Sequence, residues 1–188
     1  MSFLTKLQEN KSKLKPTKTI ITQQDGQKFL ETNQQLVKLQ ETSTGYVVDT
    51  KPDNVPAKII EHLYLGSQDC CEIEVLDKFD IKFVLSLGVD AYIKIPNVNY
   101  KFVNMLDLDV TDLTNYLPEC FEFINNALTC MSNILVHCNA GVSRSASIVI
   151  SYLILCNKMS FTEAYERVKV ARPCIRPNDG FMDRLRNL

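Results

Sequence analysis

The chain has 188 residues, enough for one domain with a substantial core and some sequence left over. Its 21 basic and 22 acidic side chains leave a net charge of −1, which gives no reason to expect nucleic acid or a membrane surface as a partner. No apolar run approaches a membrane span and Met1-Ser2-Phe3 opens no secretory core, so the seven cysteines, an odd number, predict reduced thiols in the cytoplasm or nucleus.

Residues 1–44 differ from the rest. Lys6, Lys11, Lys13, Lys15 and Lys18 face only Glu9, and Gln and Thr dominate the stretch after them. The composition predicts a solvated, partly disordered arm. Alternatively, Phe29, Leu30, Leu36, Val37 and Leu39 give a short amphipathic helix after Asp25-Gly26, suited to docking a partner. Residues 45–188 form the domain proper. Ala57–Ile60 and His62–Leu65 read as strands, and Gly66-Ser67 turns into a helix over Gln68–Phe79. The neighbouring Cys70 and Cys71 are ordinary helix residues on this reading, and His62 has no ligand cluster around it. Ile81–Leu87 is an apolar strand ending at Gly88, and Tyr100–Leu106 alternates as the next strand.

Asp107, Asp109 and Asp112 stand at the end of that strand. Leu117, Phe121, Ile124, Leu128 and Met131 then recur at helical spacing, with Pro118 tolerated in the first turn. A short buried strand, Asn133–Val136, leads into the loop Val136–Ser145, and an apolar run over Ser147–Leu155 reads as a buried helix. Ser160-Phe161-Thr162-Glu163 is a capping-box pattern that opens a helix to Ala171. Arg172-Pro173 and Arg176-Pro177 break it, and Asn178 caps a last helix. Strands spaced by helices predict an α/β fold, a central mostly parallel sheet flanked by helices, with active loops at the strands' carboxyl ends. The Gly-x4-Gly-Lys nucleotide-binding pattern does not occur.

The loop carries the chemistry. A strand feeding a tight turn that opens a helix aims free N–H groups and the positive end of the helix dipole at one point, a ready anion site. Cys138 stands at the start of that loop and Arg144 six positions on, at the mouth of the helix. The same donors and the guanidinium bias a cysteine toward thiolate, and the planar fork of an arginine holds two oxygens of a phosphoryl group. Such a thiolate can attack phosphorus in line and form a phosphocysteine. Ser145 can donate to the sulfur, Gly141 supplies the curvature, and His137 braces the strand side of the loop. The backbone of Asn139, Ala140, Gly141, Val142, Ser143 and Arg144 forms the phosphate cradle on this reading. A leaving oxygen also needs an acid, which Asp107, Asp109 or Asp112 could supply.

His137-Cys138-x-x-Gly141-x-x-Arg144-Ser145 resembles the signature of the cysteine-dependent protein tyrosine phosphatases. Leu63-Tyr64-Leu65-Gly66-Ser67, Tyr116–Ile124 and Ala171–Phe181 look like its dual-specificity branch, and the resemblance runs from about Gly45 to Leu188. It implies hydrolysis of phosphotyrosine and of phosphoserine or phosphothreonine, without metal or other cofactor, with phosphorylated proteins such as kinases of the MAP kinase pathways as substrates. The family sets its acid nine residues before the aromatic that opens the next helix. That aromatic is Tyr116 here, which selects Asp107 over Asp109. The arm is shorter than the kinase-binding domain of larger family members, so an atypical, stand-alone catalytic domain is expected. In the family the stretch with Arg172, Arg176 and Asn178 packs beside the active loop, as support, substrate contact or turn. Two other functions are compatible with these residues. One is a weakly active scaffold that recruits kinases. The other is a phosphatase of inositol lipids or RNA, for which a loop lined by Asn139, Ala140, Val142 and Ser143 is a poor match because it offers no extra cation.

Overall fold

A computed structural model of the protein describes residues 53–188 and the backbone of residues 19–22, 28–32 and 35–38. The chain divides into two compact units, Met1–Val48 and Asp49–Leu188. The expected boundary near residue 45, and the Gly45–Asp49 stretch of the family resemblance, lie outside the described residues.

In the first unit three strands, β1 (Thr19–Thr22), β2 (Lys28–Thr32) and β3 (Gln35–Lys38), pair antiparallel in that order. Leu30 stands opposite Ile20 on one side and Val37 on the other. This corrects the amphipathic helix expected from Phe29 to Leu39, of which Leu39 itself lies outside the described residues. The five-residue gap between Leu30 and Leu36 breaks a helical stripe, whereas short stretches bounded by polar residues and carrying Ile, Val, Phe and Thr suit pleated pairing.

The second unit is built on a five-stranded sheet. Its strands are β4 (Ala57–Ile60), β5 (Leu63–Gly66), β6 (Ile81–Leu87), β7 (Asn99–Val103) and β8 (Asn133–His137), in the spatial order β4-β5-β8-β6-β7. β4 pairs antiparallel with β5, and the other pairings are parallel. The sheet is therefore α/β and mostly parallel, with helices α1 (Ile73–Lys78), α2 (Leu117–Thr129), α3 (Arg144–Leu155), α4 (Phe161–Ala171) and α5 (Asp179–Arg186) around it. Because side chains alternate along a strand, both faces need a cover. Ile134 and Val136 of β8 enter the larger core with α2–α5, while Leu135 turns to the smaller core with Val75, Leu76, Ile81 and Val84.

The expected helix over Gln68–Phe79 is interrupted. A 3₁₀ turn over Gln68–Cys71 ends at Glu72, whose backbone is extended, before α1 begins. Ser67 both accepts from the N–H of Asp69 and donates to the Asp53 carbonyl, and the Gln68 N–H is bonded to the Asn139 carbonyl, so this first turn is tied to two other segments. β7 stops at Val103 rather than continuing to Leu106, because the Val103 carbonyl accepts from the N–H groups of both Gly88 and Met105, which closes a tight turn. Leu106, Leu108 and Val110 are left exposed on the next segment.

α3 is buried from Ser145 to Ile154 and directly follows the central strand. Two of its buried hydroxyls bond back along the helix, Ser147 donating to the Ser143 carbonyl and Ser151 to the Ser147 carbonyl, while Tyr152 donates to Asn125 Oδ1 of α2. The capping box expected at Ser160 forms with Glu163, and Asn178 caps α5. No helix among the described residues is long and apolar enough to cross a membrane.

Candidate active site

β8 ends at His137, α3 begins at Arg144, and residues 138–143 turn between them. The carbonyls of this loop are all engaged from outside it. The Cys138 carbonyl faces His137 Nδ1 at 3.3 Å and the Asn139 carbonyl accepts from the Gln68 N–H at 3.0 Å. Arg172 Nη2 donates to the Ala140 carbonyl at 3.0 Å and Arg172 Nε to the Gly141 carbonyl at 2.9 Å. The Arg176 N–H takes the Val142 carbonyl at 2.8 Å, and the Ser147 N–H takes that of Ser143 at 2.9 Å. In a trans peptide the next residue's N–H points opposite to the carbonyl. Carbonyls drawn outward from 138 to 143 therefore turn the N–H groups of 139–144 inward, a nest suited to an oxyanion.

Cys138 is buried, and its Sγ lies 3.2 Å from the Ser145 hydroxyl. Gly141 has φ +67°, and a Cβ there would lie 2.5 Å from the Gly66 carbonyl oxygen and 2.8 Å from Arg172 Nη2. Only glycine suits both demands. His137 is fully buried, and burial lowers its pKa to about 4. The neutral ring must donate from Nδ1, since a carbonyl only accepts, so the Ser86 hydroxyl donates to Nε2 at 2.7 Å. His137 thus fixes the strand side of the loop. Burial raises the thiol pKa values of Cys70 and Cys71 to about 11 and about 12, and Cys70 Sγ donates to the Asp53 carbonyl at 3.3 Å. They behave as core residues.

The three carboxylates separate clearly. Asp107 is drawn into the loop: its Oδ1 accepts from the Ser143 hydroxyl at 2.7 Å and from Asn178 Nδ2 at 2.8 Å, and its Oδ2 lies 3.6 Å from Arg144 Nε. Asp109 touches α5 through its backbone, its carbonyl accepting from Arg184 Nη1 at 3.2 Å. Asp112 caps the turn over Leu113–Tyr116, and hydrogen bonds from Thr114 hold its carboxyl below the usual range. Arg144 Nε is buried with no hydrogen-bond partner, an open donor beside the loop.

Several supports escaped the sequence. Asp53 forms an ion pair with Arg172 Nη1, and Gln68 reaches both the loop and the Asp90 carbonyl. Asp53 carries no pattern that singles it out, and Gln68 stands in the Leu65–Asp69 motif with no sign of these contacts. Asn178 was legible as a helix cap, but its second bond, to Asp107, joins residues 71 positions apart.

Residues 63–188 match the family described as dual specificity phosphatase, catalytic domain. The chain is 41% identical over 179 residues to dual specificity protein phosphatase 19 of Mus musculus, covering 89% of this chain and 80% of that one. It is 32% identical over 222 residues to a probable dual specificity protein phosphatase of Dictyostelium discoideum, covering 98% and 96% of the two chains. Among solved structures, the crystal structure of DUSP15 superposes with a TM-score of 0.67 at 27% identity, over 72% of this chain and 87% of that one. With the matched family spanning the loop and four of the five strands of the sheet that carries it, the chain belongs to the dual specificity phosphatases and is an enzyme of that family.

Proposed function

We propose that the protein hydrolyses phosphotyrosine and phosphoserine or phosphothreonine through a phosphocysteine on Cys138. The observation that carries this reading is the set of outward-bonded carbonyls around the loop, which turns six N–H groups toward one centre next to a buried thiol. The open Arg144 Nε supports it, since a phosphoryl oxygen would supply the missing acceptor. The Cys138 thiolate attacks phosphorus in line, and the S–P bond forms as the P–O ester bond breaks. Asp107 gives its proton to the departing oxygen. Water then attacks the phosphocysteine and passes a proton to the Asp107 carboxylate. The S–P bond breaks, phosphate leaves, and the Ser145 hydroxyl, 3.2 Å from the sulfur, stabilises the thiolate. No step needs a metal.

Phosphorylated kinases of the MAP kinase pathways, in cytoplasm or nucleus, are the substrates that the family resemblance suggests. The test is phosphate release from a doubly phosphorylated kinase activation-loop peptide by wild type and by Cys138→Ser, with the residue losing phosphate identified. Release from both Tyr and Thr, absent in the variant but with peptide binding retained, is expected. Release from Tyr alone would narrow the substrate class. No release from peptide, folded kinase or a small aryl phosphate would overturn the catalytic reading in favour of a scaffold.

A further inference from the structure

We propose that Asn178 is a positioning residue that fixes which oxygen of Asp107 carries the catalytic proton. The inference rests on Asp107 being the general acid. Asn178 has one side-chain amide and uses its two ends for different tasks. Oδ1 accepts from the Phe181 N–H at 2.8 Å and so caps α5. That contact settles the orientation of the amide, because an oxygen facing the helix leaves Nδ2 facing Asp107. Ser143 is directed in the same way. Its Oγ accepts from the Asn178 N–H at 3.1 Å, so its hydroxyl proton is free to donate to Asp107 Oδ1 at 2.7 Å.

Two donors therefore fill the two lone pairs of one oxygen, Oδ1. The proton is left to Oδ2, the oxygen that faces Arg144 Nε and hence the phosphate clamp. Without the Asn178 donor, Oδ1 has a vacant lone pair, the proton can settle there, and the carboxyl then presents its unprotonated Oδ2, an acceptor with no proton to give, to the leaving group. The rest of α5 holds this arrangement still. The Gly180 backbone packs so closely on the Asp109 carbonyl that a Cβ would overlap it, and Arg184 bonds the same carbonyl and pairs with Asp112.

Asn178→Asp is the discriminating variant, because Asp caps a helix as well as Asn does while presenting an acceptor, not a donor, to Asp107. The measurement is turnover of a phosphothreonine peptide, whose alkoxide needs protonation, against that of an aryl phosphate with a good leaving group. Turnover of the peptide should fall about tenfold to a hundredfold, with the aryl phosphate and the KM for both changed less than about threefold. In Asp107→Ala the same substitution should add no further loss. Asn178→Ser, which keeps a capping oxygen and adds no charge, should give the same selective loss and covers the case in which the Asp variant folds poorly. If both substrates slow together, or neither does, while Asp107→Ala alone retains the selective loss, the positioning role is overturned and the acid assignment stands. If Asp107→Ala itself leaves the phosphothreonine peptide unaffected, both are overturned.

Discussion

Replacing Arg172 by Met removes the outer support of the loop while keeping an unbranched side chain of similar length in its place. Arg172 is 4% exposed and donates to two loop carbonyls, at 2.9 and 3.0 Å. Hydrogen bonds from a charged group contribute about 1.5–3 kcal/mol each, and two buried carbonyls lose their partner. The ion pair to Asp53 is lost with them and leaves that largely buried carboxylate without its partner, which adds to the cost. The expected loss is about 3–6 kcal/mol, which lowers the urea midpoint by about 1.5–3 M at an unchanged slope of about 2 kcal/mol per M. Urea unfolding of the whole chain, followed by circular dichroism, reads this directly. Arg172→Lys, which keeps the charge but loses the fork, should fall between the two. A loss below about 1 kcal/mol in the Met variant would refute the reasoning, since it would mean that the loop carbonyls do not depend on this side chain.

Three more outcomes rest on the same geometry. His137 should make stability depend on pH. Its pKa is held at about 4 by burial against 6.5 when unfolded, so the unfolded chain binds the extra proton between those values. Stability from this group is full above about pH 6.5 and falls by about 3 kcal/mol as the pH drops to about 4, and His137→Gln should remove that slope in denaturation curves. Gly141→Ala should cost about 1–2 kcal/mol from the left-handed backbone and more from the overlap with the Gly66 carbonyl, and vanadate binding should weaken as the loop is pushed off Gly66. Asp107→Ala should slow peptide turnover about a hundredfold, whereas Asp109→Ala should change it less than about threefold; the opposite pattern in steady-state assays would exchange the two roles.

How much could be read in the sequence depended on whether a contact is local. The strand, loop and helix around Cys138 are contiguous, so their order, the buried α3 and the capping box at Ser160 were legible from periodicity and spacing. The choice among Asp107, Asp109 and Asp112 was legible only through the family's spacing to Tyr116 and not from the residues' own chemistry, because which carboxylate meets Ser143 and Asn178, 36 and 71 positions away from Asp107, is not a local matter. Asp53 lay beyond reach for the same reason: it meets Arg172 only because β4 and the turn after β5 bring the two ends of the domain together. The 3₁₀ turn at Gln68–Cys71 also arises from tertiary tethers that no local pattern encodes. The strands at residues 28–32 and 35–38 are a different failure, in which a mixed apolar pattern fitted two periods and pairing between segments chose the shorter one.

The Asp53–Arg172 pair has a consequence for cutting the molecule down. The segment matched to the family starts at Leu63, but the support of the loop after β8 starts ten residues earlier, at Asp53. A fragment trimmed to the matched segment would keep the whole loop from Cys138 to Arg144 and lose both β4, the antiparallel margin of the sheet, and the counterion of the side chain that grips the loop. A fragment that keeps the loop's full support therefore has to reach back at least to Asp53, ten residues before the first matched strand.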